Sequence, residues 1–149
     1  MHIKLSTPVK GNYINVMNAF DLKLFEALKP PVGKMEVKEF TGSKKGDKVH
    51  LQFISPMKAE WISDIVEDGT TDDMAYFVDV GVVLPWPLRT WKHEHIVQRI
   101  DDDNSMIIDD ITYGTSNKLL SLLMYPALFA SFYPRKKIYK KYFEKLFQQ

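Results

Sequence analysis

The chemistry this chain could do is concentrated in a few imidazoles and carboxylates. His93 and His95 stand two apart, Asp109 follows in the next alternating segment, and Asp79 precedes them in the one before. Such groups are the parts of a proton-transfer pair, or of a two-histidine, one-carboxylate metal site. A strand sends successive side chains to opposite faces, so His93 and His95 share a face, about 6 to 7 Å apart along the chain. Trp91 and Val97 join them, while Lys92, Glu94 and Gln98 take the other face. Beyond the acidic turn at Asp101, Asp102 and Asp103, the pattern repeats with Ile107, Asp109, Ile111 and Tyr113 on one face. Pairing of the two segments brings imidazoles, a carboxylate and a phenol together on an otherwise apolar surface.

A buried carboxylate must be paired or protonated, and an imidazole partner raises the histidine pKa while lowering that of the acid. The plainest reading is therefore a satisfied network, His93 and His95 bonded to Asp109 and Tyr113 and orienting neighbouring strands. The sharper readings use the same residues as the polar anchor of a ligand, or as acid and base in an aldol-type cyclisation or a dehydration. His93, His95 and Asp109 are the catalytic candidates. A metal at the two histidines with Asp79 or Asp109 lacks the closed spacing of a strong metal motif, so no metal or other cofactor is expected. The serines have no nucleophile-elbow context, and there is no phosphate-cradling glycine motif.

The elements that must position these groups follow from periodicity. Residues 2–7 alternate weakly and read as a strand ended by Pro8. Tyr13, Val16, Met17, Phe20, Leu24, Phe25 and Leu28 recur at helical spacing, with Asp21 available to cap a second short helix after a break near Phe20. Pro30, Pro31 and Gly33 stop it. From Met35 the period is two: Met35, Val37 and Glu39, then Val49, Leu51 and Phe53, then Trp61, Ser63 and Ile65 each share a face. Residues 75–84 form a more apolar strand with Phe77, Asp79 and Gly81 on one face. Short turns join these strands, which predicts an antiparallel meander. Helical spacing returns over 117–149, kinked at Pro126 and open to division at Pro134. Its distal part carries Arg135, Lys136, Lys137, Lys140, Lys141 and Lys145 against one acid, Glu144, and reads as a basic, solvated face.

Bulk properties exclude several classes. The chain has 149 residues, 45% hydrophobic and 26% charged, which suits one globular domain spanning 1–149. A net charge of +1 gives no electrostatic case for nucleic acid. The absence of cysteine excludes disulfides and thiolate chemistry. The first residues show no signal-peptide core, and the apolar run over 119–133 is too short to span a bilayer, so a cytoplasmic protein is expected.

A sheet with one apolar face followed by a long amphipathic helix is solved by curling the sheet around the helix, which often leaves a cavity between them. The residues that carry this order are Pro30–Pro31, Trp61 with Ile65, Phe77 with Asp79, Pro85, Trp91 with His93 and His95, then Ser105, Ile107, Asp109, Ile111 and Tyr113. Together they resemble the helix-grip fold of the START, Bet v 1 and polyketide cyclase/dehydrase superfamily (SRPBCC), above all its stand-alone bacterial ligand-binding proteins. The resemblance covers nearly the whole chain. It departs in two loops, where Leu84–Pro85 replaces the usual Gly-Pro and Gly114–Thr115–Ser116 lacks the usual proline. It implies an α+β fold, a curved antiparallel sheet of about seven strands around the terminal helix, with two short helices after the first strand.

The expected function is binding of a small hydrophobic or amphipathic molecule between sheet and helix, as a non-catalytic carrier or sensor. Trp61, Phe77, Asp79, Trp91, His93, His95, Asp109 and Tyr113 are the expected ligand-binding residues. The alternatives are a cofactor-free cyclase/dehydrase-like enzyme using His93 or His95 with Asp109, and an interaction protein with a filled core. Weak peripheral membrane contact through the basic terminal helix is a further expectation. Oligomeric state is left open by the sequence.

Overall fold

The computed structural model describes residues 1–30 and 33–148. Pro31, half of the expected proline pair, lies outside them. The elements run β1 (His2–Lys10), α1 (Tyr13–Asn18), α2 (Leu22–Ala27), β2 (Lys34–Phe40), β3 (Lys48–Ser55), β4 (Ala59–Thr70), β5 (Met74–Val83), β6 (Thr90–Arg99), β7 (Asn104–Gly114), α3 (Lys118–Phe132) and α4 (Arg135–Leu146). Seven strands form one antiparallel sheet in the order β1-β7-β6-β5-β4-β3-β2. Six of them are the predicted meander, and β1 returns to pair with β7. This is the expected α+β helix-grip architecture, with a long bent terminal helix against the curled sheet.

Local chemistry sets the helix boundaries. Asn12, Asp21 and Asn117 each accept a backbone N–H from the first turn of α1, α2 and α3, satisfying donors that have no partner within the helix. Asp21 is the cap read from the sequence. Pro134 lacks an N–H, and the terminal helix divides there into α3 and α4, whereas Pro126 is accommodated inside α3.

Two strand expectations change. β1 does not stop at Pro8 but runs on to Lys10, because β1 is an edge strand and the missing N–H costs no ladder bond on its open side. In β2 a bulge at Lys38 shifts the register between Val37 and Glu39. Glu39, placed with Met35 and Val37 by simple alternation, is thereby turned out to solvent. Phe40 turns in, and its ring lies 5.6 Å from that of Phe25.

The core divides into two clusters. One joins Val9, Val97 and Ile107 of the sheet to Tyr13 and Val16 of α1 and to Tyr139 and Phe143 of α4. The other joins Ile3, Leu5, Trp91, Ile111 and Tyr113 to Leu88, with Met124, Tyr125, Leu128 and Phe132 of α3 packed against it. The tight turn from β1 into α1 needs Gly11, whose φ of +124° is one that side chains disfavour.

Candidate functional site

β5, β6 and β7 lie side by side, and their register sets the polar cluster. Asp79 stands directly opposite His93, and Asp109 directly opposite His95. The bonds run along the diagonals instead. His93 Nε2 lies 2.8 Å from Asp109 Oδ1, and His95 Nε2 lies 2.6 Å from Asp79 Oδ2. Diagonal partners are within reach of side chains this long. Crossing in this way stacks the two imidazoles, with ring centroids 3.7 Å apart, and Phe77 covers the other face of His95 at 4.2 Å. His93 Nδ1 also faces Asp79 Oδ2 at 3.8 Å.

Burial decides the charge states. It works against the Asp109 anion, but the hydrogen bond and charge of His93, with the nearby Arg135, hold the carboxyl down at about 2. For Asp79, burial again opposes ionisation and the His95 bond, with both imidazoles, outweighs it, so the pKa is lowered. His95 itself is pushed down to about 4, first by burial and then by the neighbouring His93, against the pull of Asp79. The expectation that pairing would raise this histidine is thus overturned: sandwiched between Phe77 and His93, the ring cannot be solvated as a cation. A neutral His95 donating Nε2–H to an ionised Asp79 satisfies both. That tautomer leaves Nδ1 as a bare acceptor, buried and without a hydrogen-bond partner among the described residues.

The cluster closes one end of a cavity of about 210 Å³. Phe40, Val49, Leu51, Phe53 and Ile65 form its sheet wall, Leu24 and Phe25 of α2 with Leu28 just after it one side, and Leu128 and Phe132 of α3 its roof. Trp61, Phe77, Asp79, Trp91, His93 and His95 all line it. Trp61 and Trp91 meet edge to face at 4.7 Å, and Trp61 donates its indole N–H to Ser63 Oγ.

Asp109 and Tyr113 are not in the wall. Asp109 sits behind His93, 2% exposed. Tyr113 does not reach the histidines: its hydroxyl donates to the Ser121 carbonyl and ties the first turn of α3 to β7. Asp79, His93 and His95 could also gather around a cation, since one donor atom from each lies within 4.8 Å of the others. The stacked rings aim their lone pairs along near-parallel planes, however, and His95 already spends Nε2 on Asp79.

Arg135 is the residue that sequence reading misplaced. It stands in the run expected to be a basic solvated face, yet it turns inward, lines the cavity, stacks over Phe132 at 4.6 Å and approaches Asp109 Oδ1 at 3.6 Å. Burial opposes its charge, but Tyr139 and Asp109 more than compensate, so it remains a guanidinium. The signal was present: Leu128, Phe132, Arg135, Tyr139 and Phe143 fall at helical threes and fours on the inner face. The run of lysines beside it masked that stripe.

The sequence matches no family model and no curated protein. Solved structures do resemble it. Norcoclaurine synthase from Thalictrum flavum, in complex with dopamine and hydroxybenzaldehyde, superposes with a TM-score of 0.69 at 11% identity, covering 100% of this chain and 88% of that one. An aromatase/cyclase from Streptomyces sp. R1128 gives 0.62 at 13% identity over 89% of each chain. A START superfamily protein from Mycobacterium smegmatis gives 0.65 at 8% identity, over 97% of this chain and 98% of that one. Likeness at such low identity shows a shared fold, and the fold is the one expected from the sequence: the chain has the helix-grip fold.

Proposed function

We propose that this chain binds a small hydrophobic or amphipathic molecule between its sheet and its terminal helices, as a cytoplasmic carrier or sensor rather than an enzyme. The observation that carries the reading is an apolar cavity with a few polar groups gathered at one end, the usual make-up of a ligand site. An apolar cavity of about 150 Å³ accepts benzene, so about 210 Å³ suits a ligand of one or two rings, roughly a dozen heavy atoms. Trp61, Phe77 and Trp91 would hold its apolar body. Asp79, His93, His95 and Arg135 would meet its polar group. Asp109 acts through His93, and Tyr113 by fixing α3. Native mass spectrometry of the purified protein, with metal analysis alongside, tests this: a co-purifying organic mass of that size supports it. An unliganded mass that persists across expression hosts, with no uptake from added small aromatics, sinks it.

One observation favours a catalytic reading as runner-up. The neutral His95, oriented by Asp79 and keeping a free lone pair, has the form of a general base, and two of the structural neighbours are a synthase and an aromatase/cyclase. Under that reading the His93→Gln and His95→Gln variants lose turnover of a true substrate. Undiminished turnover in both rejects it. The filled-core alternative is disfavoured by the cavity itself.

A further inference from the structure

From the outer surface of the terminal helices we infer that α3 docks on an anionic lipid bilayer. Of its fifteen residues only Ser121 is fully buried, although the helix carries no charge after Lys118. Leu119, Leu122, Leu123 and Tyr133 are each more than half exposed, and Pro126, Ala127 and Ala130 lie exposed between them. These positions recur at threes and fours, so they form one uncharged stripe about four turns long. Trp86 is 81% exposed, in the loop whose Leu84 and Leu88 pack into the same cluster as the inner face of α3. Soluble proteins rarely leave so continuous an apolar surface to water.

Charge selects the occupant. The exposed spacing continues past Tyr133 to Lys137, Lys140, Lys141 and Lys145, where the stripe changes from apolar to basic. Residues 118–149 hold seven of the cations and one acid, so the rest of the chain is net acidic although the whole carries only +1. A leucine stripe continuous with lysines is the make-up of a helix lying in the interface of an anionic membrane. A second copy fits less well. Lys118 stands at one end of the stripe and Lys137 at the other, so parallel and antiparallel pairing both bring cations together. The inner face of this helix roofs the cavity, and Ser131 is both exposed and part of its lining, so the docked surface adjoins the mouth. The basic helix is therefore a flank to the contact, whose centre is α3.

Flotation of the whole protein with phosphatidylglycerol/phosphatidylcholine vesicles and with pure phosphatidylcholine vesicles tests this. The wild type should bind the anionic vesicles preferentially, and less as salt rises. The double variant Leu122→Glu, Leu123→Glu should lose binding with its thermal midpoint unchanged, because both side chains are exposed. Replacing Lys137, Lys140 and Lys141 by Gln should weaken binding on the order of a hundredfold, from about fivefold per lysine near an anionic surface. No preference for anionic vesicles overturns the inference, as does unchanged binding by the leucine double variant. So does a dimer in sedimentation equilibrium that the same double variant dissolves, which would assign the stripe to a second copy.

Discussion

The acid titration of stability offers the sharpest test of the polar cluster. His95 is held at about 4 against an ordinary 6.5, so the folded state keeps its ring neutral where the unfolded chain already takes up a proton. The sign follows: between those two values the unfolded state binds more protons, and stability falls as pH falls. The contribution is intact above pH 6.5 and is lost progressively down to about 4. A shift of that size corresponds to about 3 kcal/mol, at about 1.4 kcal/mol per unit. Asp109 acts in a lower window: its carboxyl is held at about 2 against 3.8, so its roughly 2 kcal/mol is present above pH 3.8 and lost below it. Urea unfolding of wild type and His95→Gln at a series of pH values from neutral to 4 separates the two. The wild type should lose about 3 kcal/mol more than the variant over that range. Parallel curves, with no excess loss in the wild type, would refute the buried neutral imidazole.

Three further outcomes follow from particular contacts. Asp109→Asn removes the buried counter-charge shared by Arg135 and His93 while keeping an acceptor oxygen, and should cost about 3 to 5 kcal/mol in urea unfolding, the usual result of breaking a buried pair. A cost under about 1 kcal/mol would mean that the pair contributes little. Gly11→Ala places a Cβ 2.6 Å from the Phe147 ring at a φ of +124°, so a loss of roughly 1 to 3 kcal/mol is expected, read as a lower thermal midpoint. Ser131→Trp at the cavity mouth should hinder ligand entry while leaving the thermal midpoint close to wild type, since the position is exposed. Unchanged uptake of a small aromatic by that variant would place the mouth elsewhere.

Much of this arrangement was legible in the residues. Period-two alternation put Trp91, His93 and His95 on one face and Asp109 on the facing strand, and the bend at Pro134 and the Asp21 cap were local signals that tertiary packing respected. What stayed hidden depended on register and competition between neighbours. No residue type announces the bulge at Lys38, yet it exchanges Glu39 for Phe40 on the inner face. Tyr113 points at the imidazoles by strand count alone. Its hydroxyl instead donates to the Ser121 carbonyl in the first turn of α3. Arg135 was concealed by composition, because one inward cation in a lysine-rich run looks like its neighbours until the helical phase is followed from Leu128.

The cavity can be watched directly through the three tryptophans. Trp61 and Trp91 line it, and Trp86 is exposed in a loop outside its lining, so their indole N–H signals form an internal control. Titration of nitrogen-labelled protein with 2-naphthol, a two-ring molecule with one polar group, should move the Trp61 and Trp91 signals saturably and leave Trp86 in place. The Trp61 shift should be the larger, since its N–H bonds Ser63 at the polar end. If neither lining tryptophan responds, or if only Trp86 does, the cavity does not bind such molecules and the proposed function is contradicted.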